Sequence, residues 1–259
     1  MKIDGKNIVL TGASSGIGKE ILKRLQQYDV KIIAVSRTIS KIPCNEKVIP
    51  YSCDVSKKEE VDKLFEYAQE KLGNIDIFFA NAGFAFCEQI READWEHMEE
   101  IFRTNVFSPI YSVEKMRVAN GKRKYAVVIT CSAVSEVPLP GYSLYCSTKH
   151  AINGFGRVFQ YETRKNELIS FVYPIATKTN FFTNAAQKAP VPWPVQAPDK
   201  VAKSVVRGVE KDRHFIYPSK AYAVIRTLNR IFPFNSSVYA KIQSNKFHRW
   251  AHSAYDLHS

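Results

Sequence analysis

The segment Thr11-Gly12-Ala13-Ser14-Ser15-Gly16-Ile17-Gly18 follows an apolar run, Asn7-Ile8-Val9-Leu10. It leads into residues 17–27, where Ile17, Ile21, Leu22 and Leu25 share one helical face. Three glycines at a strand-to-helix junction let the chain turn sharply, bring backbone close to a ligand and seat the helix on the sheet. The start of the helix then offers unpaired N–H groups and the positive end of its dipole to a pyrophosphate. In this position the loop predicts a dinucleotide site.

Working outward, the alternation continues. Ile32-Ile33-Ala34-Val35, Val48-Ile49-Pro50-Tyr51, Asp76-Ile77-Phe78-Phe79 and Ala126-Val127-Val128-Ile129 read as strands, as do residues 170–173 and 214–217. Between them, helices are predicted over 59–72, 94–105, 143–165 and 199–210. Apolar strands separated by helices are the pattern of a parallel sheet covered on both faces. The expectation is an α/β chain: one doubly wound Rossmann domain over 1–218 with a mostly parallel, seven-stranded sheet. Residues 219–259 should form a helical extension of the same domain. Only residues 38–47, with Pro43 among them, join strands two and three, so the covering helix there should be trimmed.

The 259 residues are 45% hydrophobic and 24% charged, which excludes a collagen, a coiled coil and a mainly disordered chain. The five cysteines form no C-x-x-C pair, so neither a disulfide framework nor a thiolate zinc site is expected. His97 and His150 have no partner at ligand spacing and read as structural; no metal is expected. Met1-Lys2-Ile3-Asp4-Gly5 carries no signal-like apolar stretch, which points to the cytoplasm.

The spacing T-G-x-x-x-G-x-G resembles the short-chain dehydrogenase/reductase family, in its compact branch. Further matches follow in the family's order over residues 6–179: Asp54-Val55, Asn81-Ala82-Gly83, Asn105-Val106, Ser132, Tyr145-Cys146-Ser147-Thr148-Lys149 and Pro174-Ile175-Ala176-Thr177-Lys178-Thr179. Two departures stand out: Ala80 precedes the N-A-G motif where the family has Asn, and Ile175 replaces a glycine. The resemblance implies a hydride-transferring enzyme and a homo-oligomer, either dimer or tetramer. It assigns cofactor contacts to Gly12, Ser14, Ser15, Gly16, Ile17, Gly18, Asp54, Asn81, Ala82, Gly83, Pro174, Thr177 and Thr179. It also gives Lys149 the ribose hydroxyls and Asn105 a water in a proton relay.

Strand two distinguishes between the nicotinamide cofactors. An acidic residue at its end would bind the ribose hydroxyls of NAD. Here Ser36 takes that position and Arg37 follows, so the expected cofactor is NADP(H). A guanidinium forks onto a phosphate that an acid would repel.

Tyr145 and Lys149, four apart, share a helical face; a phenol of pKa about 10 needs nearby cations to work as a base near neutrality, and the Lys149 ammonium with the positive nicotinamide ring of the oxidised cofactor can lower it. Ser132 ends strand five and suits orientation of a substrate oxygen. Catalysis is therefore expected from Asn105, Ser132, Tyr145 and Lys149. Cys131 and Cys146 flank two of them and read as packing residues.

Substrate contacts are expected from Ser132, Phe84, Leu139, Tyr142, Phe181 and Phe182, with Phe86, Val137 and Trp193 nearby and an irregular proline-rich loop over 177–198. No basic cluster there awaits a carboxylate. An apolar ketone or alcohol fits, such as a sterol, a lipid or an aromatic ketone. A 3-oxoacyl carrier-protein reductase and a non-catalytic cofactor sensor are the alternatives.

The net charge of +12 is concentrated late: from residue 200 onward eleven Lys/Arg face three acids, leaving +8. Stretches 221–232 and 238–250 read as amphipathic helices with Tyr222, Phe232, Phe234, Tyr239, Phe247 and Trp250 among the charges. Weak contact with an anionic membrane, a cover over the pocket and plain packing remain open. Nucleic acid is not expected.

Overall fold

The structure, a computed structural model, describes residues 1–231 and 234–255. Phe232 and Asp256, both part of the tail reading above, lie outside the described residues, as do the side chains of Arg230 and Phe234. In chain order the elements begin β1 (Lys6–Thr11), α1 (Gly16–Leu25), β2 (Val30–Ser36), β3 (Val48–Ser52), α2 (Lys58–Leu72) and β4 (Ile77–Ala80). They continue α3 (Trp95–Phe102), α4 (Ser108–Asn120), β5 (Tyr125–Thr130), α5 (Ser143–Phe159), β6 (Glu167–Val172) and α6 (Phe181–Ala185). α7 (Pro198–Glu210), β7 (Phe215–Ile216), α8 (Lys220–Ile231) and α9 (Phe234–Tyr255) complete the series.

All seven strands run parallel in the order β3-β2-β1-β4-β5-β6-β7. Alternation along each strand feeds two cores. Ile8, Leu10 and Ile32 point to the side covered by α1 and α7, while Val9, Ile33 and Phe78 point to the side of α2, α4 and α5. Each such side chain, fully buried, stabilises by about 1.5–3 kcal/mol. The order reverses between β1 and β4, so their C-terminal ends open a crevice where ligands bind in sheets of this kind.

The short β2–β3 link holds only a 3₁₀ turn over Ile39–Lys41, as its length demands. Two boundaries differ from the sequence reading. The predicted helix over 94–105 continues through a π-helical turn, Arg103–Phe107, into α4. α4 buries Ser112 and Asn120 beside Val113 and Met116, which blurs its apolar period. The other helix, α5, stops at Phe159 rather than reaching 165, because β6 begins early. Glu167 is buried under two Arg117 bonds of 2.8 and 2.7 Å and a Tyr125 hydroxyl at 2.9 Å, which fixes the strand start.

Candidate active site

The glycine loop lies at the crevice. Gly12 has φ +68° and Gly16 φ +55°, both in the left-handed region that favours glycine. A β-carbon on Gly12 would stand 3.0 Å from Ala82 Cα, and one on Gly18 would collide with the Gly12 carbonyl. α1 has no acidic residue in its first turn. A tight backbone cradle at a helix N-terminus free of acids fits a pyrophosphate, so the residues present fit a dinucleotide.

Polar side chains brace the floor of the crevice. Thr11 Oγ1 donates to the Phe79 carbonyl and accepts from the Asn81 and Ala82 N–H groups. The Asn81 amide donates to the Thr11 carbonyl and accepts from Thr130 Oγ1 at 3.1 Å, tying the ends of β1, β4 and β5 together. Asn105 sits on the π turn with its side chain buried. Its Nδ2 donates to the Phe84 carbonyl (2.8 Å) and Thr148 Oγ1 (3.2 Å), and its Oδ1 accepts from Phe84 N–H. The Asn105 side chain thus clamps the loop after β4, and its Oδ1 and Lys149 Nζ both lie beside Gly83.

α5 carries Tyr145 and Lys149 inward; both are buried. Ser132 and Tyr145 line the same cavity, with the Ser132 hydroxyl accepting from the Val134 N–H. Burial pushes the Tyr145 phenol above its ordinary value, with nearby Ser132 opposing. The lowering expected from the sequence rests on Lys149 and on the positive nicotinamide ring together; the protein alone leaves the phenol protonated at neutral pH. Lys149 Nζ donates to the Thr130 carbonyl at 2.8 Å and stands 5.7 Å from the centre of the Tyr145 ring. Burial lowers Lys149 to about 8. Cys131 is buried behind this group and burial raises its thiol, so the thiolate is disfavoured and the residue packs.

Comparison with known proteins agrees with this geometry. A family model described as short chain dehydrogenase matches residues 6–190. The chain belongs to the short-chain dehydrogenase family. Among curated relatives of this short-chain dehydrogenase, a 3-ketodihydrosphingosine reductase of Dictyostelium discoideum is 30% identical over 262 residues, covering 86% of this chain and 78% of that protein. Estradiol 17-beta-dehydrogenase 11 of Rattus norvegicus is 24% identical, covering 89% and 81%. A solved short chain dehydrogenase from Burkholderia cenocepacia in complex with NADP superposes with TM-score 0.80 at 20% identity, covering 93% and 99%. One from Burkholderia phymatum in complex with NAD gives 0.77 at 20%, covering 89% and 94%.

A cavity of about 530 Å³ joins the two parts of the dehydrogenase site. It is lined by Gly12, Ser15, Gly16, Ile17, Asn81, Ala82, Gly83, Ser132, Tyr145, Lys149, Pro174, Thr177 and Thr179. The same cavity takes in Phe84, Val137, Leu139, Phe181, Phe182 and Trp193. Ser14 lies just outside, its hydroxyl 2.8 Å from that of Ser36. Arg37 is exposed beyond it and, among the described residues, joins no ion pair. Asp54 also lies off the lining; its Oδ1 accepts from the Ser56 N–H and hydroxyl at the entry to α2.

Tyr142 is a correction: it does not line the cavity but is buried behind it, donating to the Pro190 carbonyl. Phe86 likewise turns away and stacks on His97, 3.8 Å between ring centres. His97 in turn bonds Glu88 at 2.8 Å. Ile175 lines the cavity, and among the described residues only Lys188 and Asp212 combine a side chain with positive φ, so the turn does not need the family's glycine. Thr177 Oγ1 donates to the Ile175 carbonyl at 2.9 Å and holds that turn.

Of the alternatives left open for the late helices, a cover over the pocket is the one the cavity lining fits, though Ile225, Leu228, Asn229 and Ser236 were not singled out. Tyr222, Ile225, Leu228 and Asn229 of α8, with Ser236 and Tyr239 of α9, close the cavity. Asn229 Oδ1 is buried there without a hydrogen-bond partner. α8 is latched to the loop of Ser132: Arg226 and Tyr222 donate to Glu136, and Arg157 joins at 3.0 Å. α9 presses Phe247 onto Gly141, beside the start of α5, and Tyr239 donates to the Trp193 carbonyl at 3.0 Å. The helical spacing of 222, 225 and 229 puts these residues on one face of α8.

Proposed function

We propose that this family member reduces the carbonyl of an elongated apolar ketone, sterol-like or lipid-like, with NADPH. The observation that carries the reading is the single apolar cavity that joins the glycine cradle to the Ser132–Tyr145 pair and to a wall of Phe181, Ile225 and Leu228. The names of the two relatives, one a ketosphingoid reductase and one a steroid dehydrogenase, support the substrate class. Exposed Arg37 and the absence of an acid at Ser36 support NADP(H).

When bound, the dinucleotide supplies the hydride. The Ser132 hydroxyl orients the carbonyl oxygen and stabilises its developing charge. The Tyr145 phenol, kept protonated by burial, donates its proton to that oxygen, so that ketone, hydride and proton become a secondary alcohol. Lys149, held by the Thr130 carbonyl beside the Tyr145 ring, returns a proton to the phenolate. The Asn105 side chain positions the loop after β4 through Phe84.

Purified protein should oxidise NADPH faster than NADH with a panel of sterol, lipid and aromatic ketones. Tyr145→Phe should abolish that turnover while leaving NADPH affinity nearly unchanged, because it removes the proton and little surface. Substantial residual activity in the variant would rule out the assignment.

A further inference from the structure

The mouth of the cavity is apolar on its outer rim as well as within. Trp193, Ile225 and Leu228 line the cavity and are nevertheless 45% to 52% exposed, so each faces both ways. Val224 on α8 with Val238 and Ile242 on α9 extend this rim outward, all exposed. The Trp193 and Tyr239 rings, 6.2 Å apart, join the loop to α9. An apolar patch around an opening marks an interaction site.

Charge identifies the occupant. Residues 213–255 contain seven Lys/Arg and no Asp or Glu, and residues 177–198 contain two Lys and no acid. Lys188, Lys220, Lys241 and Arg249 are exposed and, among the described residues, none of them joins an ion pair. A protein partner's apolar surface would not need an acid-free collar of cations, whereas an anionic lipid surface matches both features at once. No helix among the described residues is long and apolar enough to cross a membrane, so the contact is with the surface.

We propose that this rim docks on an anionic phospholipid bilayer, so that the ketone passes from lipid into the cavity without crossing water. The route rests on the function proposed above; the docking itself does not.

The test uses the full chain and vesicles of phosphatidylcholine with about one third phosphatidylglycerol. At low salt the protein should sediment with these vesicles and not with pure phosphatidylcholine. About 1 M salt should release it, because screening then acts within about 3 Å. The double variant Lys241→Gln/Arg249→Gln, off the cavity lining, should lower partitioning about 30-fold, at about fivefold per cation. Its reduction of a water-soluble ketone should match wild type. With Trp193 as sole indole (Trp95→Phe, Trp250→Phe), lipid brominated on its acyl chains should quench the fluorescence.

Failure to sediment at low salt, equal binding by the double variant, or binding without quenching of Trp193 would each overturn the proposal. Preferential capture by RNA or by an acidic carrier protein would do the same. Sedimentation needs no turnover, so a chain that binds vesicles yet reduces no ketone would sink the proposed function alone.

Discussion

Replacing Glu136 with glutamine should loosen the latch between α8 and the loop of Ser132. The carboxylate accepts from Arg226, from Arg157 at 3.0 Å and from the Tyr222 hydroxyl at 2.9 Å. Its side chain is 17% exposed and that of Arg226 13%. The amide keeps the shape but leaves two guanidinium groups without their counter-charge. Breaking a fully buried pair costs about 3–5 kcal/mol, and the residual exposure here brings the expected loss down to about 2–3 kcal/mol. For a chain of this length that lowers Tm by about 5–10 °C.

Acid should modulate the effect. Burial favours the neutral carboxyl of Glu136, but the bonds from Arg226 and Tyr222 outweigh it and hold the group below the ordinary glutamate range. A carboxylate lowered in the folded state stabilises above its unfolded pKa, and that contribution is lost as pH falls through the folded value. Scanning fluorimetry should therefore record the full Tm gap at pH 7 and a shrinking gap below about pH 4. Equal Tm values at pH 7, or a gap that persists unchanged in acid, would refute the reasoning. The KM for an apolar ketone should rise in the variant, because the cavity wall hangs from this latch.

Arg37→Asp should weaken NADPH binding about 10–150-fold, the worth of one charged phosphate contact, and shift preference toward NADH; tighter NADH binding by wild type in a titration would contradict it. Lys149→Met should abolish turnover yet raise Tm at pH 7, because it removes an ammonium that burial has lowered to about 8. An amine lowered in the folded state makes wild type more stable as pH rises from about 8 toward 10.5, so the Tm advantage of the variant should fade over that window. Gly141→Ala should destabilise the protein by about 1–3 kcal/mol, read by denaturant titration, since Gly141 has φ +85° and a β-carbon would collide with Phe247.

The fold and the cradle were legible because backbone needs specific residues. Only glycine serves at 12, 16 and 18, and apolar strands such as Asn7-Ile8-Val9-Leu10 leave no other reading. Tyr145 and Lys149 were legible because four residues on a helix is also a distance in space. The burial that raises the Tyr145 phenol was not, because it comes from distant segments. Tyr142 looked like a substrate contact by adjacency, yet its hydroxyl is held by Pro190, forty-eight residues away in sequence. The latch on Glu136 was equally hidden: its partners Arg157, Tyr222 and Arg226 come from two helices that only the fold brings together.

The placement of the cavity wall bears on how such a protein can change. Every strand, the glycine cradle and the Ser132–Tyr145–Lys149 group are complete by β7, and α8 and α9 come after it. Selectivity on that side is therefore written in a cassette of two helices that contributes nothing to the sheet. The seam between cassette and body runs through Tyr222, packed in the core and bonded to the Ala133 carbonyl, Arg226 on Glu136 and Tyr217, Phe247 on Gly141, and the loop that Tyr239 and Trp250 bond. A chimaera that preserves those contacts could exchange the rest of the cassette and acquire a new substrate while inheriting the chemistry intact.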